Sequence, residues 1–169
     1  NIALGKSATA SSYSNPPSMA VDGQYNTGWQ GLNGQNGFWQ VELYPSPGGP
    51  VSAVRVQTVS GSASADTSYM TAWDIQVAGD AGVFSRVASA SCTAPGTCSN
   101  LTQTVLPAGT TARYIRVVPT TVTVASNGTY ASIREFEAFS GTYTLTLPDA
   151  NSAAFCNYTG EARDMALRV

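Results

Sequence analysis

The residues with the most chemistry to offer lie early in the chain, in Met19-Ala-Val-Asp-Gly-Gln-Tyr-Asn-Thr-Gly-Trp29. An apolar lead-in reaches Asp22-Gly23, a dipeptide that turns tightly because it tolerates positive φ. Thr27 then offers a hydroxyl, and Trp29 closes the stretch as an apolar anchor. One carboxylate, one hydroxyl and several backbone carbonyls curled round a turn make an oxygen-rich pocket that suits a hard cation such as Ca²⁺. The same residues also make a plain loop in which Asp22 caps its own backbone. Taken alone, they leave both readings open.

The means of catalysis are thin elsewhere. The chain has no histidine, which removes the commonest general base and the usual imidazole ligand. Serine and threonine abound, but neither His nor a Ser-x-x-Lys arrangement stands ready to activate one. Glu135 and Glu137 are two apart on an expected strand and so share a face. A glycosidase needs facing carboxylates from separate elements, which this pair alone does not supply. Arg113 and Arg116 are expected to pair with carboxylates or to cover the surface. The chain reads as a non-enzyme.

Bulk properties narrow the setting. The chain has 169 residues, enough for one domain with a real core, with 43% hydrophobic and 11% charged residues and a net charge of -2. No run of Lys or Arg offers nucleic acid or an anionic membrane a footing, and no apolar run is long enough to span a bilayer. Asn100, Asn127 and Asn157 each open an Asn-x-Thr triplet, the acceptor pattern for N-glycosylation. Cys92 and Cys98 flank the turn-forming Thr-Ala-Pro-Gly-Thr and are read as a local disulfide, which implies an oxidising compartment. Cys156 is left free or paired outside this sequence. Together these features point to a secreted, extracellular or cell-surface protein.

Short strands must position these groups. Asn1 to Ser12 is small and polar and reads as an extended lead-in clipped onto a sheet. Phe38 to Leu43 alternates Phe38, Gln40 and Glu42 with Trp39, Val41 and Leu43, the period of a half-buried strand. Val51 to Val59 is again strand-like, and Trp73 to Val77 with Val83 to Val87 reads as a hairpin. Leu101 to Leu106, Arg113 to Val118 (stopped by Pro119) and Ile133 to Phe139 complete the set, with a long loop over Thr120 to Ala131. Trp29, Trp39 and Trp73 sit at apolar phases and are expected in the core. No amphipathic helix of ordinary length is evident. Many short strands with Gly/Pro turns argue for an all-β sandwich.

These blocks resemble, in order, the discoidin family, also called coagulation factor V/VIII type C domains. The resemblance rests on Asn1-Ile2-Ala3 with Ala8, Ala20-Val21-Asp22-Gly23 with Thr27 and Trp29, and Trp39 with Val41. It continues through Trp73-Asp74-Ile75-Gln76-Val77, Ala112-Arg113-Tyr114-Ile115-Arg116-Val117 and Ser132-Ile133-Arg134-Glu135-Phe136-Glu137. It is closest to the galactose-binding modules attached to glycosidases and to galactose oxidase. It implies a discoidin-like jelly-roll β-sandwich of about eight main antiparallel strands over residues 1–141. Residues 142–169, opening with the alternating Thr142 to Leu147, then form a C-terminal extension, the start of a following domain or an assembly arm.

The resemblance also implies a structural Ca²⁺ site. Matching positions are the carbonyls of Met19, Gln24 and Thr27, the Asp22 carboxylate, the Thr27 hydroxyl, the Arg134 carbonyl and the Glu135 carboxylate. Sugar-binding relatives stack a sugar on an aromatic ring among loops at one end, where amides and guanidinium groups read its hydroxyls. Here the matching ring is Tyr130 with Asn127 beside it, and Asp66, Tyr69, Gln30 and Asn33 lie on loops that can face the same cleft. The sequence departs from that pattern in three respects. It lacks the histidine, it has Ser60-Gly61-Ser62 where an arginine is expected, and it lacks the His then Arg-x-Asp of fucose lectins. The reading is a calcium-stabilised, lectin-like module for a galactose-type glycan. The alternative is a non-catalytic adhesion or structural module that binds extracellular protein through its loops and tail. Membrane insertion would want Trp or Phe spikes with basic neighbours, and the loops offer only Leu32, Tyr69 and Met70.

Overall fold

The computed structural model describes residues 1–31, 37–59, 69–93, 97–123 and 131–141. They carry twelve strands: β1 (Ala8–Ala10), β2 (Trp29–Gln30), β3 (Trp39–Glu42), β4 (Gly49–Pro50), β5 (Ala53–Gln57), β6 (Met70–Ala78), β7 (Ser85–Ser91), β8 (Thr102–Val105), β9 (Thr111–Ala112), β10 (Tyr114–Val122), β11 (Ser132–Ile133) and β12 (Glu135–Phe139). The helical content of these residues is one 3₁₀ turn, Pro17–Val21, which proline starts at N1. A five-stranded antiparallel sheet runs β1-β3-β10-β6-β7, a three-stranded sheet runs β12-β5-β8, and β11-β2 and β4-β9 are short pairs. The sheets pack as a sandwich, as the strand reading predicts.

Alternation decides which side chains enter the core. Trp39 and Val41 of β3 pair in register with Val117 and Ile115 of β10, which face Ile75 and Val77 of β6. From the opposite sheet come Val54, Val56, Phe136 and Ala138, all in the same buried cluster. Trp39 and Phe136 meet across the interior with ring centroids 4.9 Å apart. Trp29, Trp39 and Trp73 are all buried, so the core assignment of the tryptophans holds. The Trp39 indole N–H, deep inside, donates to the Pro17 carbonyl at 2.9 Å. That bond ties the 3₁₀ turn to β3 and spares an unmet buried donor.

The lead-in strand docks as expected, with β1 pairing antiparallel to β3. The N-terminus is clipped on as well. Ile2 N–H donates to Ala138 O at 2.8 Å, and Asn1 Oδ1 accepts from Ala138 N–H at 3.2 Å.

Two strand limits differ from the sequence reading. Pro119 does not stop its strand, because β10 runs on to Val122 with Pro119 opposite Trp73 of β6. The reason is local. β3 pairs with β10 only as far as Val117, so the missing proline N–H faces a side with no neighbouring strand. Ile133 to Phe139 is not one strand either. The chain changes sheets at Arg134, with β11 on β2 and β12 on β5. β5 and β12 are also buried along almost their whole length, so Arg55, Gln57, Glu135 and Glu137 on their outer faces are covered as well.

Candidate functional site

The Asp22-Gly23 turn follows directly from the 3₁₀ turn. Gly23 takes φ +79°, a left-handed conformation that suits glycine. Asp22 Oδ1 then accepts the Gln24 N–H at 2.8 Å. The Thr27 hydroxyl lies 3.1 and 2.9 Å from the two Asp22 oxygens and 2.9 Å from the Gln24 carbonyl oxygen. The turn therefore does two things at once. It caps its own backbone, and it gathers a carboxylate, a hydroxyl and a carbonyl within hydrogen-bond reach of one another.

Next comes Gly28, where the loop crosses the sheet switch. A Cβ there would sit 2.5 Å from the Ile133 carbonyl oxygen and 2.7 Å from the Arg134 Cα. Only glycine lets the two backbones approach so closely. This contact brings the loop to Arg134, whose N–H donates to Gln57 O at 2.7 Å, and to Glu135. Met19 belongs to the 3₁₀ turn and shares with Asp22 the lining of an open hollow of about 250 Å³.

Glu135 is the unusual group. It is 1% exposed, and among the described residues neither carboxylate oxygen makes a hydrogen bond. Burial, then the negative charges of Asp22 and Glu137, push its carboxyl up to about 8, and the nearby Gly23 N–H only partly opposes the rise. A buried carboxylate with so little hydrogen bonding is costly. The fit to a hard cation rests on this buried group, which feels the charge of Asp22, and on the neutral oxygens of Thr27 and Gln24 beside Asp22. No cluster of three or more His, Cys, Asp or Glu occurs among the described residues. Two carboxylates with hydroxyl and carbonyl oxygens would suit a hard cation such as Ca²⁺ rather than a metal that prefers thiolate or imidazole.

The expected ligand end is seen through its supports. Asn33, Asp66, Asn127 and Tyr130 lie outside the described residues, as do Asn157 and Cys156. The segments that lead to Asn33, Asp66, Asn127 and Tyr130 are tied together at one end of the sandwich. Gly31 N–H donates to Ala131 O at 2.9 Å, and Thr58 and Val59 N–H both reach Cys98 O at 3.2 Å. Ser132 Oγ donates to Thr58 O at 2.7 Å. Thr123 and Tyr69 join backbone to backbone at 2.9 Å. Cys92 and Cys98 form the expected disulfide, with Cα atoms 5.1 Å apart.

Two of the six expected ligand residues are described. Gln30 lies on β2 opposite Ser132, half-buried, with its amide oxygen 3.4 Å from Ser14 Oγ. Tyr69 is buried at 8% exposure and packs with Val59 and Cys98. Asn100 is exposed just before β8.

Sequence reasoning passed over Tyr25 and the Arg55–Glu137 pair. Tyr25 hydroxyl donates to Glu137 Oε1 at 3.3 Å, and Arg55 Nη1 lies 3.4 Å from Glu137 Oε2. The available signal was a pair of opposite charges at outward phases of two strands. It becomes legible only once β5 and β12 are known to be neighbours. Arg113 pairs with Glu42 at 2.8 Å and Asp80 at 3.1 Å. Arg116 lies between the Phe38 and Phe84 rings, 3.9 and 3.6 Å from their centroids. Both arginines act as surface staples, as expected.

Comparison with known proteins places this geometry. The model of the F5/8 type C domain matches residues 6–136. Among solved structures, the lectin domain of lectinolysin complexed with Lewis B antigen superposes with a TM-score of 0.65 at 24% identity, covering 84% of this chain and 97% of that one. The family 32 carbohydrate-binding module of C. perfringens NanJ, in complex with galactose, gives 0.62 at 23% identity, covering 79% and 93%. A Streptococcus pneumoniae fucose binding module gives 0.63 at 21% identity, covering 83% and 95%. At these identities the likeness is one of fold. No curated protein matches the chain.

Proposed function

The chain belongs to the F5/8 type C domain family, and on that premise we propose that it is a calcium-stabilised, carbohydrate-binding module that works outside the cell. The observation that carries the sugar reading is the convergence of the loop stems. Gly31, Thr58, Cys98, Ala131 and Ser132 are bonded to one another at one end of the sandwich, and from there the chain runs on to Asn33, Asp66, Asn127 and Tyr130. Tyrosine, amides and a carboxylate are the residue types that hold a sugar, its apolar C–H face on a ring and its hydroxyls hydrogen-bonded. The solved structures named above, with Lewis B antigen and galactose bound on the same fold, make a galactose-type glycan the first candidate. The role is binding without catalysis, since Glu135 and Glu137 share one face of one strand.

Calcium would be held by Asp22, Thr27, Glu135 and the carbonyls of Met19, Gln24 and Arg134. When bound, the ion supplies positive charge to two carboxylates that otherwise repel each other. Its effect on the chain would be to fasten the first loop to β12, in line with the buried and unbonded Glu135 oxygens. Secretion is supported by the Cys92–Cys98 disulfide.

A second reading, an adhesion or structural module that binds protein, draws on a different observation. An open hollow of about 600 Å³, lined by Pro50 to Ser52, Val105 to Thr111 and Gly141, lies next to the last described residue. Val105 beside it is 56% exposed.

A glycan array separates the two. Wild-type chain in Ca²⁺ should bind galactose-terminated glycans, and Tyr130→Ala should lose that binding while melting at the same temperature. A folded, calcium-loaded chain that binds no glycan on the array would leave the second reading.

A further inference from the structure

The outer face of the three-stranded sheet holds a polar network that neither sugar nor cation binding has yet used. Arg55 of β5 and Glu137 of β12 are cross-strand neighbours, with side chains 9% and 11% exposed. Arg55 Nε donates to Gln103 Oε1 of β8 at 3.2 Å, and its guanidinium lies over the Phe139 ring, 5.0 Å from the centroid. The three strands thus fix this arginine from several sides. One Glu137 oxygen faces the arginine, and the other accepts the Tyr25 hydroxyl. Tyr25 stands in the loop that carries Asp22, Gln24 and Thr27, directly after Gln24. It is 48% exposed, yet its hydroxyl reaches a well-covered carboxylate.

Glu137 is two residues from Glu135, on the same face of the same strand. β12 therefore presents one carboxylate towards Asp22 and a second to the middle of the same loop. We propose that Tyr25 is a positioning residue for the cation loop, acting through Glu137 and Arg55 and giving no ligand of its own. Holding Tyr25 holds the Gln24 carbonyl and, through it, the Thr27 hydroxyl 2.9 Å away. Arg55 offsets the charge of Glu137, so that Glu137 anchors the loop and adds less repulsion around Glu135. A loop fixed before the ion arrives loses less freedom on binding, and that raises affinity. This proposal rests on the calcium reading above.

The test compares the full wild-type chain with Tyr25→Phe, by calorimetric titration with Ca²⁺ and by melting in EDTA and in saturating Ca²⁺. Tyr25→Phe should bind Ca²⁺ more weakly, by up to about fivefold, the effect of one lost hydrogen bond, while melting only slightly below the wild type in EDTA, since the bond is already made in the cation-free fold. Equal affinity in the two chains overturns the proposal and leaves the calcium reading standing. A lower melting temperature in EDTA with unchanged affinity also overturns it, because the contact is then only structural. A wild-type chain with neither binding heat nor a calcium-dependent rise in melting temperature removes the proposal and the calcium reading together.

Discussion

Glu135→Gln is the perturbation that most clearly separates a cation pocket from an inert buried acid. In the cation-free fold the Glu135 carboxyl is raised from 4.5 to about 8, so between those values the native chain holds a proton that the unfolded chain has released. Stability must then fall as pH rises across that interval. It is full below the unfolded value and lost as pH passes through the folded one. One pH unit of such linkage is about 1.4 kcal/mol, so the whole interval has a ceiling of about 5 kcal/mol. Solvent at the open side of the loop and local relaxation screen the charge and bring the expected loss to about 2 kcal/mol. Urea unfolding in EDTA at pH 5, 6, 7 and 8 measures it. The wild type should weaken by about 2 kcal/mol relative to Glu135→Gln, which has no proton to lose there. In millimolar Ca²⁺ the wild-type loss should vanish, and Glu135→Gln should gain little from the ion. A wild type that runs parallel to Glu135→Gln in EDTA would refute the claim that this carboxyl is strained by burial and by its acidic neighbours.

Three further outcomes follow from the packing. Gly28→Ala drives a Cβ towards the Ile133 carbonyl. It should cost about 2–3 kcal/mol in urea unfolding and lower Ca²⁺ affinity, because it pushes the first loop off β12. Arg55→Met leaves Glu137 covered without its cation and should cost about 3 kcal/mol, much of it recovered when Glu137→Leu is added, as a double-mutant cycle would read. The pair Cys92→Ser and Cys98→Ser opens a short loop, and unfolding should show a loss of about 2 kcal/mol.

Much of the sandwich is legible in the sequence because its strands alternate cleanly. Trp39, Val41 and Leu43 against Gln40 and Glu42 give the face and the phase of β3, and the burial follows them. The Asp22-Gly23 turn is equally local, since a carboxylate and a positive-φ glycine define it without help from the rest of the chain. What escaped the sequence is non-local. Pro119 reads as a strand end until the short reach of β3 is known, because a proline is tolerated where no neighbour needs its N–H. Tyr69 reads as a loop residue, yet the disulfide and Val59 bury it. Alternation also fails on β5 and β12. Arg55, Gln57, Glu135 and Glu137 occupy positions that single-strand periodicity assigns to solvent, and they are covered in the folded chain. The polar network around Tyr25 was invisible for the same reason, as it joins residues 112 positions apart.

The most direct measurement on the central claim is a crystal structure of the chain grown in Ca²⁺ with a galactose-terminated saccharide. The account predicts a cation bound by Asp22, Thr27 and Glu135, and a sugar stacked on Tyr130 at the end where Gly31, Thr58 and Ala131 converge. A cation pocket left empty at saturating Ca²⁺, or a loop end filled by a glycan on Asn127 with no saccharide bound, would contradict it.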